Sequence, residues 1–209
     1  MGKKRLLLIG GGGHCRSILD SVISQKEFDE IGIIDSGNAT IFGISVVGTD
    51  ADLPSLFENG WNYAFVSVGS IGETNTRRKL YSLIRSVGFN VPSIIDSSSI
   101  VSKTVDISDG VFIGKGAVVN CGTKLGCCSI VNSSSTIEHD CEIGDFAHIA
   151  PGSILCGQVS VGVDTHIGAG TVVRQCLFIG NRTIIGAGSV VVNSVPDGVM
   201  AYGNPCRIV

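Results

Sequence analysis

The residues best suited to proton transfer lie together near the middle of the chain, in the segment IEHDCEIGDFAHIAPG. His139 stands between Glu138 and Asp140, and either carboxylate could orient an imidazole and stabilise its protonated form. His148 follows nine residues later, and His166 lies a further eighteen residues along the chain. An imidazole flanked by carboxylates is typical of a general base, so this segment is a candidate active site.

Length and composition fit a folded protein that binds small molecules. The chain has 209 residues, of which 44% are hydrophobic, and this is enough to bury a core. Its formal net charge of -3 provides no basic field, so nucleic acid and anionic lipid are not expected partners. The start, MGKKRLLLIGGGG, has too few apolar residues for a signal peptide or a membrane span. We therefore expect a cytoplasmic protein with no membrane insertion.

The eight cysteines include no CxxC pair and no Cys/His spacing typical of structural zinc. Such cysteines are expected to be reduced thiols that pack as small residues. Cys141 lies close to His139 and is a possible nucleophile. Its place in a series of small inward residues, described below, favours a packing role instead.

The first half of the chain alternates short apolar runs with amphipathic stretches, a pattern that predicts alternating strands and helices. Such a chain forms a parallel sheet covered by helices, so residues 1–94 are predicted to be a Rossmann-like α/β domain. The strand candidates are RLLLIG, EIGIID, YAFVSVG and NVPSIID, and the helix candidates are GHCRSILDSVISQ, DADLPSLFEN and TNTRRKLYSLIRSVG.

From residue 95 onward an aliphatic residue recurs every six positions. A period of six fits neither a helix nor a flat strand, but it fits a coil in which each of three faces uses one hexapeptide. Two positions earlier there is mostly a small or β-branched residue, such as Ala117, Thr123 or Cys141, and both positions should point inward. Residues 95–209 are therefore predicted to form an all-β parallel β-helix of hexapeptide repeats with a C-terminal cap. The aliphatic series is Ile95, Val101, Ile107, Ile113, Val119, Leu125, Val131, Ile137, Ile143, Ile149, Leu155, Val161, Ile167, Val173, Ile179, Ile185 and Val191.

The coil geometry predicts which residues stack. Residues eighteen apart lie on successive coils at a spacing of about 4.8 Å, so His148 and His166 should form a ladder on one outer face. His139 cannot be a neighbour of His148 on one coil, because the two are nine residues apart. The flat outer faces bury well against copies of themselves, and threefold association brings a corner of one protomer to a face of the next. A homotrimer would therefore place His139 in a cleft between protomers.

A second candidate site is the glycine run in LLLIGGGGHCRSILD, where a strand, a glycine loop and a helix start follow one another. This geometry presents backbone N–H groups to a phosphate. NAD is disfavoured, because Cys15 stands where G-x-G-x-x-G requires a small residue and the domain is too short for a dinucleotide fold. We expect a nucleotide diphosphate instead. The predicted site consists of Gly11, Gly12, Gly13 and His14 around the pyrophosphate, Asp35 and Ser36 near the base or ribose, and Gly69.

Two simpler interpretations of this second site remain open. The glycines would also form a tight turn that binds no ligand. Asp35 would also serve as a loop cap that accepts hydrogen bonds from nearby backbone N–H groups.

The segment IEHDCEIGDFAHIAPG, the GGGGH loop and the ending GVMAYGNPCRIV together resemble the bacterial nucleotide-sugar acetyltransferases of the bacillosamine, perosamine and sialic-acid pathways. The resemblance covers essentially the whole chain. It implies that the β-helix is left-handed and that the protein is a homotrimer. It also implies that acetyl-CoA binds between neighbouring coils while the N-terminal domain holds a nucleotide-linked sugar.

The same resemblance implies roles for individual residues. His139 matches the general base of the family, and Asp140 matches the carboxylate that polarises it. Residues implied to contact the coenzyme are His148 near the acetyl group, Gly203, Asn204 and Pro205 at the adenine end, and, by a looser match, Gly152, Gly170 and Ala187 along the pantetheine arm. The segment around Gly203 would also serve as a cap on the open end of the β-helix.

Chemistry and resemblance agree on the acetyl-CoA-dependent N-acetylation of a nucleotide-linked amino sugar, expected to be a 4-amino-4,6-dideoxyhexose. His139 would take a proton from the amine as the nitrogen attacks the thioester, without an acyl-enzyme. One alternative is O-acetylation of a sugar such as sialic acid. A zinc-dependent hydratase of the gamma carbonic anhydrase type is another, but that class pairs two ligands five residues apart, so no metal is expected here. A noncatalytic scaffold would bind no coenzyme.

Overall fold

The computed structural model describes residues 3–37 and 40–209. None of the helices in these residues is both long enough and apolar enough to span a membrane. Contacts divide the chain into two compact units: Met1–Ser70 with Asn75–Ile94, and Ile71–Thr74 with Ile95–Val209.

The first unit contains a parallel sheet whose strands have the order β3-β2-β1-β4 among the described residues. Its central strand has the sequence RLLLI, and its three leucines are completely buried. A continuous apolar run of this kind is typical of a parallel strand that is covered on both faces. The bounds are β1 Arg5–Ile9, β2 Glu30–Ile34, β3 Val46–Gly48 and β4 Tyr63–Val66.

Helices connect these strands, as the alternating pattern predicts. The first helix has the bounds of its candidate segment, and the third spans most of its candidate. The second is shorter, because its first residues form a 3-10 turn with a capping box between Thr49 and Asp52. The bounds are α1 Gly13–Gln25, the 3-10 turn Asp50–Asp52, α2 Leu53–Glu58 and α3 Asn75–Val87.

Two strand assignments in this half differ from the prediction. Val46–Gly48 is not among the predicted strands, because its two valines form too short an apolar run and none of its residues is buried. The NVPSIID candidate meets the sheet of the α/β unit only at Asn90, which forms a single parallel bridge to Tyr63. Its one strand, Ile94–Ile95, joins a sheet of the β-helix. Pro92 lies just before that strand and has no N–H to donate to a ladder.

The second unit is a left-handed parallel β-helix, so the predicted fold class is confirmed. In the described part of the chain its short strands form three sheets of eight, six and five strands, and we name the sheets by these numbers. The eight-stranded sheet contains β5 Ile94–Ile95, β8 Phe112–Ile113, β11 Ile130–Val131, β14 His148–Ile149, β17 His166–Ile167, β20 Ile184–Ile185, β22 Met200–Gly203 and β23 Cys206–Ile208. The six-stranded sheet contains β6 Ile100–Val101, β9 Val118–Val119, β12 Thr136–Ile137, β15 Ile154–Leu155, β18 Val172–Val173 and β21 Val190–Val191. The five-stranded sheet contains β7 Asp106–Ile107, β10 Lys124–Leu125, β13 Glu142–Ile143, β16 Ser160–Val161 and β19 Phe178–Ile179.

The core of the β-helix is the aliphatic series of the sequence. Members from Ile113 to Val191 are at most 3% exposed, and the first three pack against them while partly buried. The small residues two positions earlier are equally buried: Ala117, Cys141 and Thr171 have no exposed surface. Both inward positions are therefore confirmed.

The C-terminal residues close one end of the coil. Strand β22 pairs with β20 in the parallel sense, and β23 pairs with β22 in the antiparallel sense, so the two form a hairpin. The hairpin therefore extends the eight-stranded sheet beyond β20, and β23 is the edge strand of the sheet at this end.

Candidate active site

His139 and Asp140 form a hydrogen-bonded pair at one corner of the β-helix. The corner follows β12 of the six-stranded sheet and precedes β13 of the five-stranded sheet. Nδ1 of His139 lies 2.9 Å from Oδ2 of Asp140, and both side chains are slightly more than half exposed. Asp140 adopts a left-handed backbone conformation with φ 57°, as do residues at several other corners of the coil. This geometry orients the imidazole and leaves it accessible to a substrate.

The backbone around this pair is fixed by hydrogen bonds to both adjacent coils. The Thr123 hydroxyl of the preceding coil donates to the carbonyl oxygen of Glu138 at 3.0 Å. In the following coil, the N–H of Gln158 donates to the carbonyl oxygen of His139 at 2.9 Å. These hydrogen bonds fix the backbone from which the His139 side chain extends.

Two further residues of the segment have structural roles here. Glu138 accepts a hydrogen bond from the Asn120 side chain at 2.9 Å, and Asp140 provides the carboxylate that pairs with His139. Cys141 is completely buried, and its thiol lies 3.3 Å from the carbonyl oxygen of Cys156. Burial raises the pKa of Cys141 to about 11, so the thiolate is scarce at neutral pH. These contacts favour packing over nucleophilic attack.

His148 and His166 stack on the eight-stranded sheet, as the spacing predicts. They are direct partners in the β14–β17 register, and their ring centroids lie 4.9 Å apart in an edge-to-face arrangement. Nε2 of His148 lies 3.1 Å from the side-chain nitrogen of Asn132. His166 is only 7% exposed, and burial lowers its pKa, so its ring is neutral at pH 7.

The small residues predicted to contact the coenzyme follow one edge of the β-helix. Gly152, Gly170 and Ala187 lie at the corners between strands of the eight-stranded and six-stranded sheets, and all three are exposed. A Cβ on either glycine would have no neighbour within 4 Å. We call this open row the small-residue edge.

The C-terminal turn lies at the end of the same region. Gly203, Asn204 and Pro205 are exposed in the turn that joins β22 to β23, and the peptide bond between the last two is cis. The N–H of Gly203 donates to the Ser189 hydroxyl at 3.2 Å. Ser189 lies two residues beyond Ala187, so the turn is anchored next to the small-residue edge.

The His139 corner and the small-residue edge flank the six-stranded sheet on opposite sides. The outward side chains of this sheet are almost all aliphatic, with Ile100 68% and Ile154 41% exposed. The five-stranded sheet instead presents Asp106, Lys124, Glu142, Ser160 and Phe178. Lys124 and Glu142 form an exposed ion pair at 2.9 Å, and Phe178 is 46% exposed. The full outward row of the six-stranded sheet is Ile100, Val118, Thr136, Ile154, Val172 and Val190.

In the α/β unit, the glycine loop is bound by an aspartate. The N–H of Gly11 donates to Oδ2 of Asp35 at 2.6 Å, and the N–H of Gly37 donates to Oδ1 at 2.9 Å. The hydrogen bonds from Gly37 and then Gly11 hold the pKa of Asp35 below its ordinary value. In this structure the carboxylate thus acts as a cap on the loop, the simpler of the two roles that the sequence left open.

A cavity of about 360 Å³ lies at the carboxyl end of this sheet. Asp35, Ser36, Thr49, Asp50 and Thr76 are among its lining residues. Ile9, Ile34 and Leu80 also line it, so the cavity offers both apolar and polar surface. The ends of parallel strands are where α/β sheets bind ligands, and a mixed lining suits a base with its ribose.

The remaining residues of the predicted nucleotide site lie at the start of α1. Gly12 is the N-cap residue of α1, and no side chain caps this end of the helix. The first backbone N–H groups of α1 therefore have no capping side chain as an acceptor. Gly69 faces His14, since a Cβ at Gly69 would stand 3.3 Å from the Cβ of His14. Burial, and then the charge of Arg77, lower the pKa of His14 to about 4. This imidazole is therefore neutral at pH 7 and provides no positive charge to attract a phosphate.

No group of three or more His, Cys, Asp or Glu side chains within residues 3–37 and 40–209 is arranged to hold a metal ion. The imidazole of His139 is held by the Asp140 carboxylate, and the rings of His148 and His166 contact each other edge to face.

Sequence reasoning missed several residues that shape the site. Asn120 and Gly122 lie one coil before Glu138 and Asp140, and Gly157 lies one coil after His139. The eighteen-residue offset that predicted the histidine ladder would have found all three.

The chain is similar to known proteins over its whole length. Residues 5–84 match the family model described as the PglD N-terminal domain. PerB of Caulobacter crescentus, solved in complex with CoA and GDP-perosamine, is 36% identical with a TM-score of 0.92, and the match covers 98% of this chain and 96% of that chain. The acetyltransferase domain of PglB from Neisseria gonorrhoeae FA1090, in complex with acetyl coenzyme A, is 32% identical with a TM-score of 0.94, and the match covers 100% of both chains. WeeI from Acinetobacter baumannii AYE is 25% identical with a TM-score of 0.81, over 99% of this chain and 100% of that chain.

Proposed function

Because this chain belongs to the family of bacterial nucleotide-sugar acetyltransferases that contain hexapeptide repeats, we propose that it acetylates the amino group of a nucleotide-linked 4-amino-4,6-dideoxy sugar with acetyl-CoA. The observation that carries the proposal is the His139–Asp140 pair, an accessible imidazole held by a carboxylate at 2.9 Å. A general base in this form is what amine acetylation needs.

In the proposed reaction His139 carries one proton from the sugar amine to the leaving thiolate, and Asp140 orients the imidazole. Nδ1–H of His139 donates to Asp140, which fixes the tautomer and presents the lone pair of Nε2 to the substrate. Nε2 takes a proton from the sugar amine while the nitrogen forms a bond to the thioester carbonyl carbon. The tetrahedral intermediate then collapses, the C–S bond breaks, and the imidazolium returns the proton to the departing sulfur. Asp140 stabilises the imidazolium between the two steps.

The coenzyme is proposed to bind along the small-residue edge. Gly152, Gly170 and Ala187 leave room there for the pantetheine arm to approach the backbone. His148 lies on the adjoining eight-stranded sheet, where it would contact the acetyl end. The turn at Gly203, Asn204 and Pro205 would contact the adenine end. PerB and the PglB domain, which are similar to this chain along the same length, are complexes with CoA and acetyl coenzyme A.

A homotrimer completes the proposed site. Within one protomer the His139 corner and the small-residue edge lie on opposite sides of the six-stranded sheet. The aliphatic outward row of that sheet, with Ile100 and Ile154 well exposed, is a surface that a second copy of the chain would bury. Threefold packing on this face brings the His139 corner of one protomer to the small-residue edge of the next.

The nucleotide is proposed to bind in the α/β unit. The cavity at Asp35 and Ser36 would accept the base or ribose, and the N–H groups at Gly11, Gly12 and Gly13 would face the pyrophosphate. His14 would act there as a neutral hydrogen-bonding group, and Gly69 would leave space beside it. Phosphate binding by Gly11 requires its N–H to leave the Asp35 carboxylate.

The eight free cysteines support a location in the reducing cytoplasm.

An acceptor assay tests the proposal. The purified chain is incubated with acetyl-CoA and either UDP-, dTDP- or GDP-linked 4-amino-4,6-dideoxy sugars, or with sialic acid, and CoA release and product mass are measured. We expect an amide product from at least one nucleotide-linked amino sugar, and a loss of about 10² or more in turnover for His139→Ala. Acetylation of sialic acid alone would replace the proposal with O-acetylation. Full activity of His139→Ala would remove this residue as the base.

A further inference from the structure

Gly157 occupies a position where the backbone does not require glycine. It follows His139 by one coil, and the carbonyl oxygen of Gly157 in turn accepts the N–H of Cys176 on the next coil. The φ of Gly157 lies outside the left-handed region, so any residue could adopt its conformation. The residues at the equivalent position on adjacent coils are Cys121, His139 and Gln175, which all have exposed side chains.

The space that a side chain would fill at Gly157 is taken by the imidazole of His139. A Cβ built on Gly157 would stand 2.5 Å from Nε2, 2.7 Å from Cε1 and 3.1 Å from Cδ2 of that ring. These distances are far below van der Waals contact, so the ring lies across the glycine. Gly157 is buried for this reason, although its neighbours in the column are exposed.

A second glycine has the same relation to Asp140. Gly122 lies one coil earlier, and a Cβ there would collide with Oδ1 of the Asp140 carboxylate. Gly116 provides a comparison at the previous corner of the same coil, with φ +64° against +70° for Gly122. A Cβ on Gly116 would meet only the Ser134 hydroxyl, at an ordinary 3.5 Å. The collision is thus a property of Gly122 and not of every corner glycine.

We propose that Gly157 and Gly122 are positioning residues, whose missing side chains create the notch in which the imidazole of His139 and the carboxylate of Asp140 are held. The inference rests on the proposed function, because it concerns the geometry of the same base. Nδ1 is bound to Asp140, so Nε2 is the atom that must reach the amine, and Nε2 is the atom closest to the Gly157 notch. A methyl group at either glycine displaces the pair without changing its chemistry. A displacement of about 1 Å can lower a catalytic rate by about 10²-fold.

Steady-state kinetics of three variants test this. We expect Gly157→Ala to lower kcat by about tenfold or more while the KM for both substrates stays within about twofold of the original value. Gly122→Ala should lower kcat several-fold more than Gly116→Ala, which introduces the same backbone strain but no collision. An unchanged kcat in Gly157→Ala, or equal kinetics for Gly122→Ala and Gly116→Ala, would overturn the corresponding part of the proposal. If Gly157→Ala does not fold, the other pair of variants decides.

A double-mutant cycle separates positioning from general damage. In a His139→Ala background there is no imidazole to displace, so adding Gly157→Ala should change the residual rate by less than about twofold. A further loss equal to that of the single variant would show a structural effect and refute the proposal. The two hypotheses remain distinguishable, since full activity of His139→Ala refutes the proposed function. A large loss of kcat in His139→Ala with no loss in Gly157→Ala would refute the positioning role of Gly157 and leave the proposed function intact.

Discussion

The two edges of the six-stranded sheet are built from the same hexapeptide repeat but differ in what they present. One edge contains His139 and Asp140, an exposed polar pair that is fixed by a hydrogen bond and lies against Gly157 and Gly122. The other contains Gly152, Gly170 and Ala187, an open row with almost no side chains. The first is suited to hold a proton-transfer group, and the second is suited to receive a long, flexible ligand close to the backbone.

Under the proposed function, a single protomer therefore holds the base and the coenzyme on separate edges. The sheet between the edges has an aliphatic outward row, whereas four of the five outward residues of the five-stranded sheet are charged or polar and the fifth is Phe178. In the proposed homotrimer, hydrophobic burial on the aliphatic face would be the physical link between a base on one chain and a coenzyme on the next. Each of the following changes tests one part of this contrast.

A charge on the aliphatic face should have the largest effect. Ile154→Glu places a carboxylate in the proposed interface, where burial of an unpaired charge costs several kcal/mol. We expect dissociation into monomers by light scattering and a loss of about 10²-fold or more in activity. Phe178→Glu is the matched control, because Phe178 is similarly exposed at 46% and occupies the same strand position on the five-stranded sheet. A monomer with full activity would contradict the proposal that the two edges form one site across neighbouring protomers.

A bulky side chain on the small-residue edge should have the next largest effect. Gly170→Trp fills the space proposed for the pantetheine arm, so we expect the KM for acetyl-CoA to rise about tenfold or more. Gly170→Ala introduces the same backbone strain at φ +67° with little added volume, and it should change KM much less. If both variants kept the original KM, the coenzyme would not follow this edge.

Removal of the Cys141 thiol should have the smallest effect on activity. Cys141→Ala keeps a small residue in the inward series, so kcat should fall by less than about threefold, whereas loss of a true nucleophile would cost about 10²-fold or more. Iodoacetamide at pH 8 should modify the exposed Cys121 and Cys176 well before Cys141. Rapid modification of Cys141 with parallel inactivation would contradict the packing role.

The same thiol predicts a dependence of stability on pH. Burial raises its pKa from 9.0 to about 11, so the folded state retains a proton that the unfolded chain loses. The contribution is complete below pH 9 and is lost as the pH rises through 11. The free energy of unfolding should therefore fall in this window, and it should fall less in Cys141→Ala.

The β-helix was predictable from sequence because each of its rules repeats. One inward aliphatic residue per hexapeptide and one small residue before it fix the coil, and the eighteen-residue offset then places His148 under His166. The α/β unit lacks such repetition. Val46–Gly48 is too short and too exposed to leave a signal. Ile94–Ile95 satisfies two patterns at once, because it ends the last apolar run of the α/β half and Ile95 begins the hexapeptide series that pairs it with Phe112–Ile113.

Individual contacts were less predictable than the fold. His139 pairs with Asp140 rather than Glu138, whose carboxylate instead accepts a hydrogen bond from Asn120 on the preceding coil. The capping of the glycine loop by Asp35 depends on loop geometry that no period encodes. Side-chain choices of this kind are decided by competition among nearby hydrogen-bond partners, and the sequence alone does not show which of them are near.

Subunit complementation tests the central claim most directly. His139→Ala and Gly170→Trp are purified separately, unfolded or exchanged together, and assayed as a mixture at a low concentration of acetyl-CoA. If the base of one protomer acts on the coenzyme at the edge of the next, random mixed trimers contain intact sites at about a quarter of their interfaces. Activity should then rise to about a quarter of that of the original protein, far above either variant alone. A mixture with only the mean activity of the two variants would show that each site lies within one chain, and would contradict the account.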